Sequence, residues 1–302
     1  MANVSRRRFV QLILGAAGAG WLQQRAAPLA ASSATLADRS LSSQAELPAG
    51  VPVFMYHASQ FGGLSESEFR HQMRVLKELR YRTITFRALR HYVENGSVPR
   101  GCVVLTFDDV ANWTQGQYRE PGKGPFTDFW RYTFPAMAQY GFSAVLGVVT
   151  GGMPEEGEGW DWKKLRFIQS LGYELASHSV THNYHLAGRS GFPPDDEVVA
   201  ELAGSREAIA RGAGVTPIAY VWPFGVSRWA EQGARYYPVL VEESESGPVR
   251  RKEQLLAVPR YHPDLHAGED YLNLMTQYAE RRAGRALLAM KERFLMRRSQ
   301  TP

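Results

Sequence analysis

Short apolar runs alternate with helical patterns from residue 51 to about residue 261. Residues 51–57 predict a first strand, and residues 66–80 carry Phe69, Met73, Leu76 and Leu79 at helical spacing. The same alternation predicts strands at 81–86, 102–107, 143–149, 173–178, 218–222, 237–241 and 255–261, and helices at 86–95, 126–139, 160–171, 195–211 and 270–298. Repeated strand-then-helix units favour parallel strands with helices outside. About seven such units predict an α/β fold, an irregular barrel in a single domain.

The segment before this pattern indicates export. Arg6, Arg7 and Arg8 precede an apolar stretch at 10–22, and the run Ser5 to Val10 resembles a twin-arginine signal. At about 13 residues the stretch is short for a membrane span, although an uncleaved anchor is the alternative. We therefore expect a signal peptide at 1–37, a linker at 38–50, the main domain at 51–268 and a basic helical tail at 269–302. The predicted location is the periplasm or the cell envelope or exterior.

The net charge of +5 comes from the two ends of the chain. Residues 1–25 hold four arginines and no acid, and residues 281–302 hold seven Arg or Lys and one Glu, so the body between them is net acidic. A nucleic-acid-binding domain would instead carry a basic face, so we predict no nucleic-acid partner. The tail or the N-terminus can associate with the envelope. Cys102 is the only cysteine, so no internal disulfide forms.

Two carboxylates, Asp108 and Asp109, follow the apolar strand 102–107. Adjacent strand residues face opposite ways, so both can share one site only if the chain turns there. Such a turn would let one aspartate bind a metal while the other acts as a base. The alternative is an ordinary loop start, where Asp is common.

Two histidines, His178 and His182, follow the strand at 173–178. Their spacing predicts that both rings lie on one side of a helical turn. Two imidazoles and a carboxylate form a set that binds zinc or another divalent ion with open positions for water and substrate. We predict Zn²⁺, with Ni²⁺ or Co²⁺ as fitting alternatives.

Two further strand ends carry polar or aromatic motifs. The run 220–225 includes Trp222, Pro223, Phe224 and Gly225, and an N–H after the proline is suited to an oxyanion. Packing alone would explain these aromatics equally well. His57 ends the first strand and is a candidate general acid.

Taken together, the motifs resemble the polysaccharide deacetylase family over residues 51–262. The motifs, in order, are Met55-Tyr56-His57, Thr106-Phe107-Asp108-Asp109, Phe134-Pro135, Trp160 with Gly172-Tyr173-Glu174, the pair His178 and His182, and Trp222-Pro223-Phe224-Gly225. The early Met-Tyr-His run is similar to the branch that acts on poly-N-acetylglucosamine. The resemblance implies a distorted TIM-like (β/α)7 barrel.

The resemblance also implies roles for individual residues. Asp109, His178 and His182 would hold the metal, and Asp108 would be the general base. Phe224 N–H would stabilise the oxyanion, and His57 would protonate the departing amine.

The chain departs from the family pattern at several positions. Val110 follows the aspartate pair where Gly is usual, Tyr220 stands where many members have the Arg that positions the base, and Phe224 replaces Tyr. The long segment 110–128 carries Trp113 and Tyr118, which we expect, with Trp222, to contact sugar rings. A late histidine that serves as the acid in other branches has no clear equivalent, with His262 and His266 as candidates.

These features predict a metal-dependent hydrolase that removes N-acetyl groups from an amino-sugar polysaccharide, such as poly-N-acetylglucosamine, peptidoglycan or a chitin-like polymer. A non-catalytic glycan-binding protein on the same fold is one alternative, because a fold alone does not fix a function. A deacylase of a non-sugar amide or an O-acetyl ester is another.

Overall fold

The computed structural model describes residues 50–57, 64–111, 129–188, 191–244 and 247–263. These lie within one unit of the chain, Glu46–Pro302. The predicted signal peptide, the linker up to residue 49 and the tail at 269–302 lie outside the described residues.

A parallel sheet of seven strands forms the centre of the described structure. Its hydrogen-bonded order is β1-β3-β4-β5-β6-β7, and β2 pairs with β3. The strands are β1 (Val53–His57), β2 (Arg82–Thr83), β3 (Cys102–Val110), β4 (Val145–Val148), β5 (Glu174–Ser177), β6 (Ala219–Val221) and β7 (Val239–Val241). Every pair of these strands is parallel, as the alternation of strands and helices predicts.

Helices connect the strands, and several begin at a side-chain cap. Ser65, Thr85 and Asp161 each accept a hydrogen bond from a backbone N–H in the first turn of the following helix. The α-helices are α1 (Glu66–Glu78), α2 (Phe86–Glu94), α3 (Phe134–Tyr140), α4 (Trp162–Ser170), α5 (Asp195–Ala213) and α6 (Ala230–Ala234). A π-helical turn, Phe129–Thr133, leads into α3, and 3₁₀ turns lie at Tyr184–Ala187, Pro223–Gly225 and Lys252–Leu256.

Alternate strand positions contribute to two different parts of the core. On β3, Val103, Leu105 and Phe107 belong to one apolar cluster, whereas Val104 belongs to a second, valine-rich cluster on the other face of the sheet. Because the side-chain period of a strand is two, Asp108 continues the face of Val104. The same face therefore changes from apolar to polar toward the carboxyl ends of the strands.

The segment 258–261 connects the two ends of this curved sheet. Val258 N–H donates to Leu240 O of β7, and Tyr261 N–H donates to Val53 O of β1. The strand predicted at 255–261 is thus wrong in its first part, where a 3₁₀ turn occupies Lys252–Leu256. The remaining residues bridge to both strands, so the segment spans the open side of the half-barrel.

The predicted fold class is confirmed: the chain is a single-domain α/β protein whose parallel sheet curls as a distorted (β/α)7 barrel does. No helix within the described residues is both long enough and apolar enough to cross a membrane.

Candidate active site

An irregularity in β3 brings the two aspartates together. The register between β3 and β4 shifts between Phe107 and Val110, and Asp109 has a φ of 62°. In a regular strand the two carboxylates would face opposite sides, but the bulge with its left-handed residue turns Asp109 toward the side of Asp108. The predicted change in chain direction therefore takes place inside the strand, which continues to Val110. Val110, found where the family usually has Gly, is fully buried in the core.

The two histidines lie on a tight loop after β5, and the predicted helical turn is wrong. Ser179 and His182 have φ values of 72° and 49°, which no right-handed helical turn contains. His182 N–H donates to the Ser179 hydroxyl at 2.9 Å. The loop nevertheless brings both rings to the same side, with centroids 4.7 Å apart.

Asp109, His178 and His182 form a cluster whose ligand atoms all lie within 4.8 Å of one another. The Nε2 atoms of His178 and His182 are 3.6 Å and 3.4 Å from Asp109 Oδ1. His178 Nδ1 lies 2.9 Å from Val221 O, which fits a proton on Nδ1 and places the lone pair on Nε2. One carboxylate and two imidazoles with this tautomer are a set that suits a divalent metal such as zinc.

Backbone strain concentrates at the same place. Five non-glycine residues in the described part of the chain have positive φ, and four of them are Asp109, Ser179, His182 and Phe224. Each such conformation costs on the order of 1–3 kcal/mol and persists only where the surroundings impose it. The fifth, Arg80, lies at the end of α1. This concentration of strained residues is typical of a functional site.

The structure reveals a residue that sequence reasoning missed, Arg260. Its Nη1 donates to both carboxylate oxygens of Asp108, at 2.7 and 2.8 Å, and to the Thr106 hydroxyl at 3.2 Å. Arg260 is 1% exposed, and its Nε donates to Glu242 O. Tyr220, which occupies the usual position of the arginine in the family, packs in the core instead. Asp108, the predicted base, therefore has a guanidinium partner that comes from the segment 258–261.

These contacts set the charge of the site. Burial alone would raise the pKa of Asp108, but the Arg260 guanidinium, followed by His178 and His57, holds it below its ordinary value. The pKa of Asp109 is likewise lowered, because its contacts with His178 and His182 outweigh burial. Burial and the neighbouring His178 lower the pKa of His182 to about 4. At neutral pH the site thus holds two carboxylates and a neutral His182, the forms that a metal ligand and a base require.

Two histidines are placed to move a proton. His57 ends β1 in register with Asp108, and its charge lowers the pKa of both aspartates. His262, two residues after Arg260, lies 2.9 Å through Nε2 from Glu243 Oε1 and is 8% exposed. His57 is therefore near the aspartates and His262 pairs with Glu243, whereas His266 lies outside the described residues.

The aromatic residues of the motif around Pro223 occupy different environments. The Phe224 ring is partly exposed, with its centroid 4.5 Å from that of His182 and 5.4 Å from that of Tyr184. Trp222 is 2% exposed and packs edge-on against Tyr220. The prediction that Trp222 binds substrate does not fit this placement, because its ring is enclosed by the core. Trp113 and Tyr118 lie outside the described residues.

Comparison with known proteins agrees with this fold. The sequence model of the polysaccharide deacetylase family matches residues 95–233, a region that contains both aspartates, both histidines and the motif around Pro223. The match covers a little under half of the chain, and it agrees with the family resemblance found in the sequence. This match supports the predicted enzyme class, a hydrolase acting on carbon–nitrogen bonds other than peptide bonds. Among curated protein sequences, none matches this chain.

Solved structures share the fold at low sequence identity. The chain is similar to the deacetylase PplD of Streptococcus pyogenes in complex with acetate, with 20% identity, a TM-score of 0.61 and coverage of 77% of this chain and 99% of that one. It is also similar to IcaB from Ammonifex degensii, with 16% identity, a TM-score of 0.60 and coverage of 78% and 99%. A third structure, the polysaccharide deacetylase BC0361 from Bacillus cereus, gives 18% identity, a TM-score of 0.56 and coverage of 76% and 69%. At these identities the likeness establishes the fold.

Proposed function

We propose that this polysaccharide deacetylase is a metal-dependent enzyme that removes N-acetyl groups from an amino-sugar polysaccharide. The observation that carries the proposal is the juxtaposition of two unlike sets of residues. Asp109, His178 and His182 lie within 4.8 Å of one another, and Asp108 is held beside them by Arg260. The first set suits a divalent cation and the second a base that stays ionised.

The residues divide the work of amide hydrolysis among them. Asp109, His178 and His182 would hold the ion, which supplies Lewis-acid chemistry by polarising the carbonyl and making water more acidic. Asp108 takes the proton from the attacking water, and Arg260 keeps that carboxylate charged and oriented. The Phe224 N–H donates to the developing oxyanion. His57 then gives a proton to the departing amine, so that the products are acetate and a free amino sugar.

Acetate release tests this function. The protein is stripped of metal, reloaded with Zn²⁺, Ni²⁺ or Co²⁺, and assayed on poly-N-acetylglucosamine, chitin oligomers and peptidoglycan. We expect release that depends on added metal and is lost, together with bound metal, in His178→Ala. A matched control is His185→Ala, since His185 is an exposed histidine just outside the cluster. Equal acetate release from His178→Ala and wild type, or from the stripped and the reloaded enzyme, would contradict the proposal.

Export is the second part of the proposal. It is supported by Arg6, Arg7 and Arg8 before the apolar stretch 10–22. Fractionation of cells expressing the full chain should recover the protein outside the cytoplasm. Replacing Arg6 and Arg7 with Lys should retain it inside, and an unchanged distribution would argue against this route.

A further inference from the structure

The carboxylate of Glu201 on α5 binds the loop that carries both histidines. Glu201 Oε2 accepts hydrogen bonds from Val180 N–H at 2.6 Å and Thr181 N–H at 3.0 Å. Its Oε1 accepts from the Thr181 hydroxyl at 2.7 Å. Successive N–H groups that converge on an anion form a strong, charge-assisted contact. Glu201 thus binds the loop segment that lies between the two predicted ligands.

Backbone hydrogen bonds from the residues after β4 also hold the loop. Thr150 N–H donates to Ser179 O at 3.1 Å, and Gly151 N–H donates to Val180 O at 2.8 Å. A side chain at Gly151 would place its Cβ 2.5 Å from Val180 O, so the glycine is required for this approach. The loop is therefore fixed between the end of β4 and α5.

Helix α5 is itself tied to the sheet close to Glu201. The Ser205 hydroxyl accepts a hydrogen bond from Ser177, the last residue of β5, at 2.5 Å. Gly204 lies where a Cβ would approach Val180 Cγ2 to 3.2 Å, which lets the helix pack closely on the loop. Helix α5 therefore fixes the position of the Glu201 carboxylate. That carboxylate binds a loop in which Ser179 and His182 both have positive φ.

We propose that Glu201 is a positioning residue that sets the metal affinity of the site by holding the His178–His182 loop in its strained shape before the ion binds. This inference rests on the proposed metal site. With the loop held in advance, binding need not order it, and preorganisation of this kind increases affinity. Partners that orient metal ligands typically contribute 10–100-fold to metal affinity.

The test measures Zn²⁺ affinity directly, by competition with a chromophoric chelator on the stripped full-length protein. Glu201→Ala should weaken binding roughly 10–100-fold. Glu201→Gln should stay near wild type, because its amide oxygen can accept from both N–H groups and its NH₂ can donate to the Thr181 hydroxyl. Glu207→Ala, an exposed change on the same helix, is the matched control. The melting temperature of each metal-free variant separates loss of affinity from loss of fold.

The outcomes distinguish this inference from the proposed function. If the wild type binds Zn²⁺ and Glu201→Ala binds it equally well, the positioning role is wrong while the metal site stands. If the wild type binds none, the metal site itself is wrong, and Glu201 has no such role. If Glu201→Ala does not fold, Thr181→Ala removes one of the three hydrogen bonds from an exposed residue. A several-fold loss of affinity in that variant supports the role, and unchanged affinity overturns it.

Discussion

Buried or partly buried carboxylates lie at both ends of the parallel sheet, and their pKa values are shifted in opposite directions. At the carboxyl ends of the strands, Asp108 and Asp109 have lowered pKa values because guanidinium and imidazole groups outweigh burial. At the opposite end, Glu174 begins β5 and has a raised pKa, since burial outweighs its hydrogen bonds, among them those from Arg87 N–H and the Thr85 hydroxyl. Burial alone therefore does not decide the charge of a carboxyl group. The difference between Asp108 and Glu174 is the Arg260 guanidinium, which donates directly to the carboxylate of Asp108.

Replacing Asp108, the proposed base, should have the largest effect on turnover. Asp108→Asn removes the proton acceptor while preserving the shape of the side chain and the neighbouring ligand set. We expect turnover to fall about 10²–10⁴-fold, the usual contribution of a general base, with metal content unchanged. Turnover by acetate release and metal content by elemental analysis check this. Loss of metal together with activity would place Asp108 among the ligands instead.

Removing the Arg260 guanidinium should raise the pKa of Asp108, as burial raises the pKa of Glu174 at the other end. In Arg260→Met, burial is no longer offset by the guanidinium, so the pKa of Asp108 rises and the acid limb of kcat/KM moves to higher pH. Because folding lowers the pKa of Asp108, its carboxylate stabilises the wild type at pH values above 3.8, the ordinary pKa of Asp. This stability is lost as the pH falls through the folded-state pKa. At neutral pH we therefore expect a loss of about 3–5 kcal/mol in unfolding free energy that shrinks toward acid pH.

The control for this change is Arg211→Ala, which removes an exposed arginine. Denaturant unfolding at several pH values and pH–rate profiles are the measurements. An unshifted acid limb in Arg260→Met would show that the contact does not tune the base.

The choice between the two histidines at the same end can also be measured. His57→Ala should lower turnover on an N-acetyl amide roughly 100-fold, because the amine leaves only after protonation. An activated acetate ester needs no such proton, so on it His57→Ala should be much less impaired. His262→Ala provides the matched comparison on both substrates. Equal impairment of His57→Ala on amide and ester, with a selective loss in His262→Ala, would transfer the role of acid to His262.

At the opposite end of the sheet, replacing Glu174 with a neutral residue should increase the free energy of unfolding. Because the pKa of Glu174 is raised by burial, its contribution to stability is complete below the ordinary value of 4.5 and is lost as the pH rises through the folded-state pKa. Glu174→Gln should therefore stabilise the protein at neutral pH by about 0.5–2 kcal/mol. The gain should disappear at low pH and leave turnover unchanged. Thermal unfolding checks this against Glu231→Gln, an exposed change, and a gain independent of pH would contradict the explanation.

The sequence predicted the site residues that lie in short motifs, but it did not predict the contact between residues far apart along the chain. Asp109, His178 and His182 come from two short motifs, so residue type and spacing suffice to suggest them. The loop conformation escaped prediction because positive φ at Ser179 and His182 leaves no signal in hydrophobic periodicity.

The sequence analysis did not predict Arg260 as a site residue, for a different reason. It is 152 residues from Asp108 along the chain and stands in an unremarkable run after Val258. The one available signal was indirect, since a buried base without the arginine usual at the position of Tyr220 needs a cation from elsewhere.

The segment 258–263 has a consequence for how the protein acquires activity. It covers the edges of β1 and β7 and also delivers Arg260 and His262. During synthesis these residues leave the ribosome after every strand of the described sheet. Until they dock, Asp108 lacks its cation and the sheet has unpaired edges. The segment therefore completes the fold and pairs the proposed base Asp108 with its cation in one step. A chain cut short before residue 258 would lack both the last sheet contacts and Arg260.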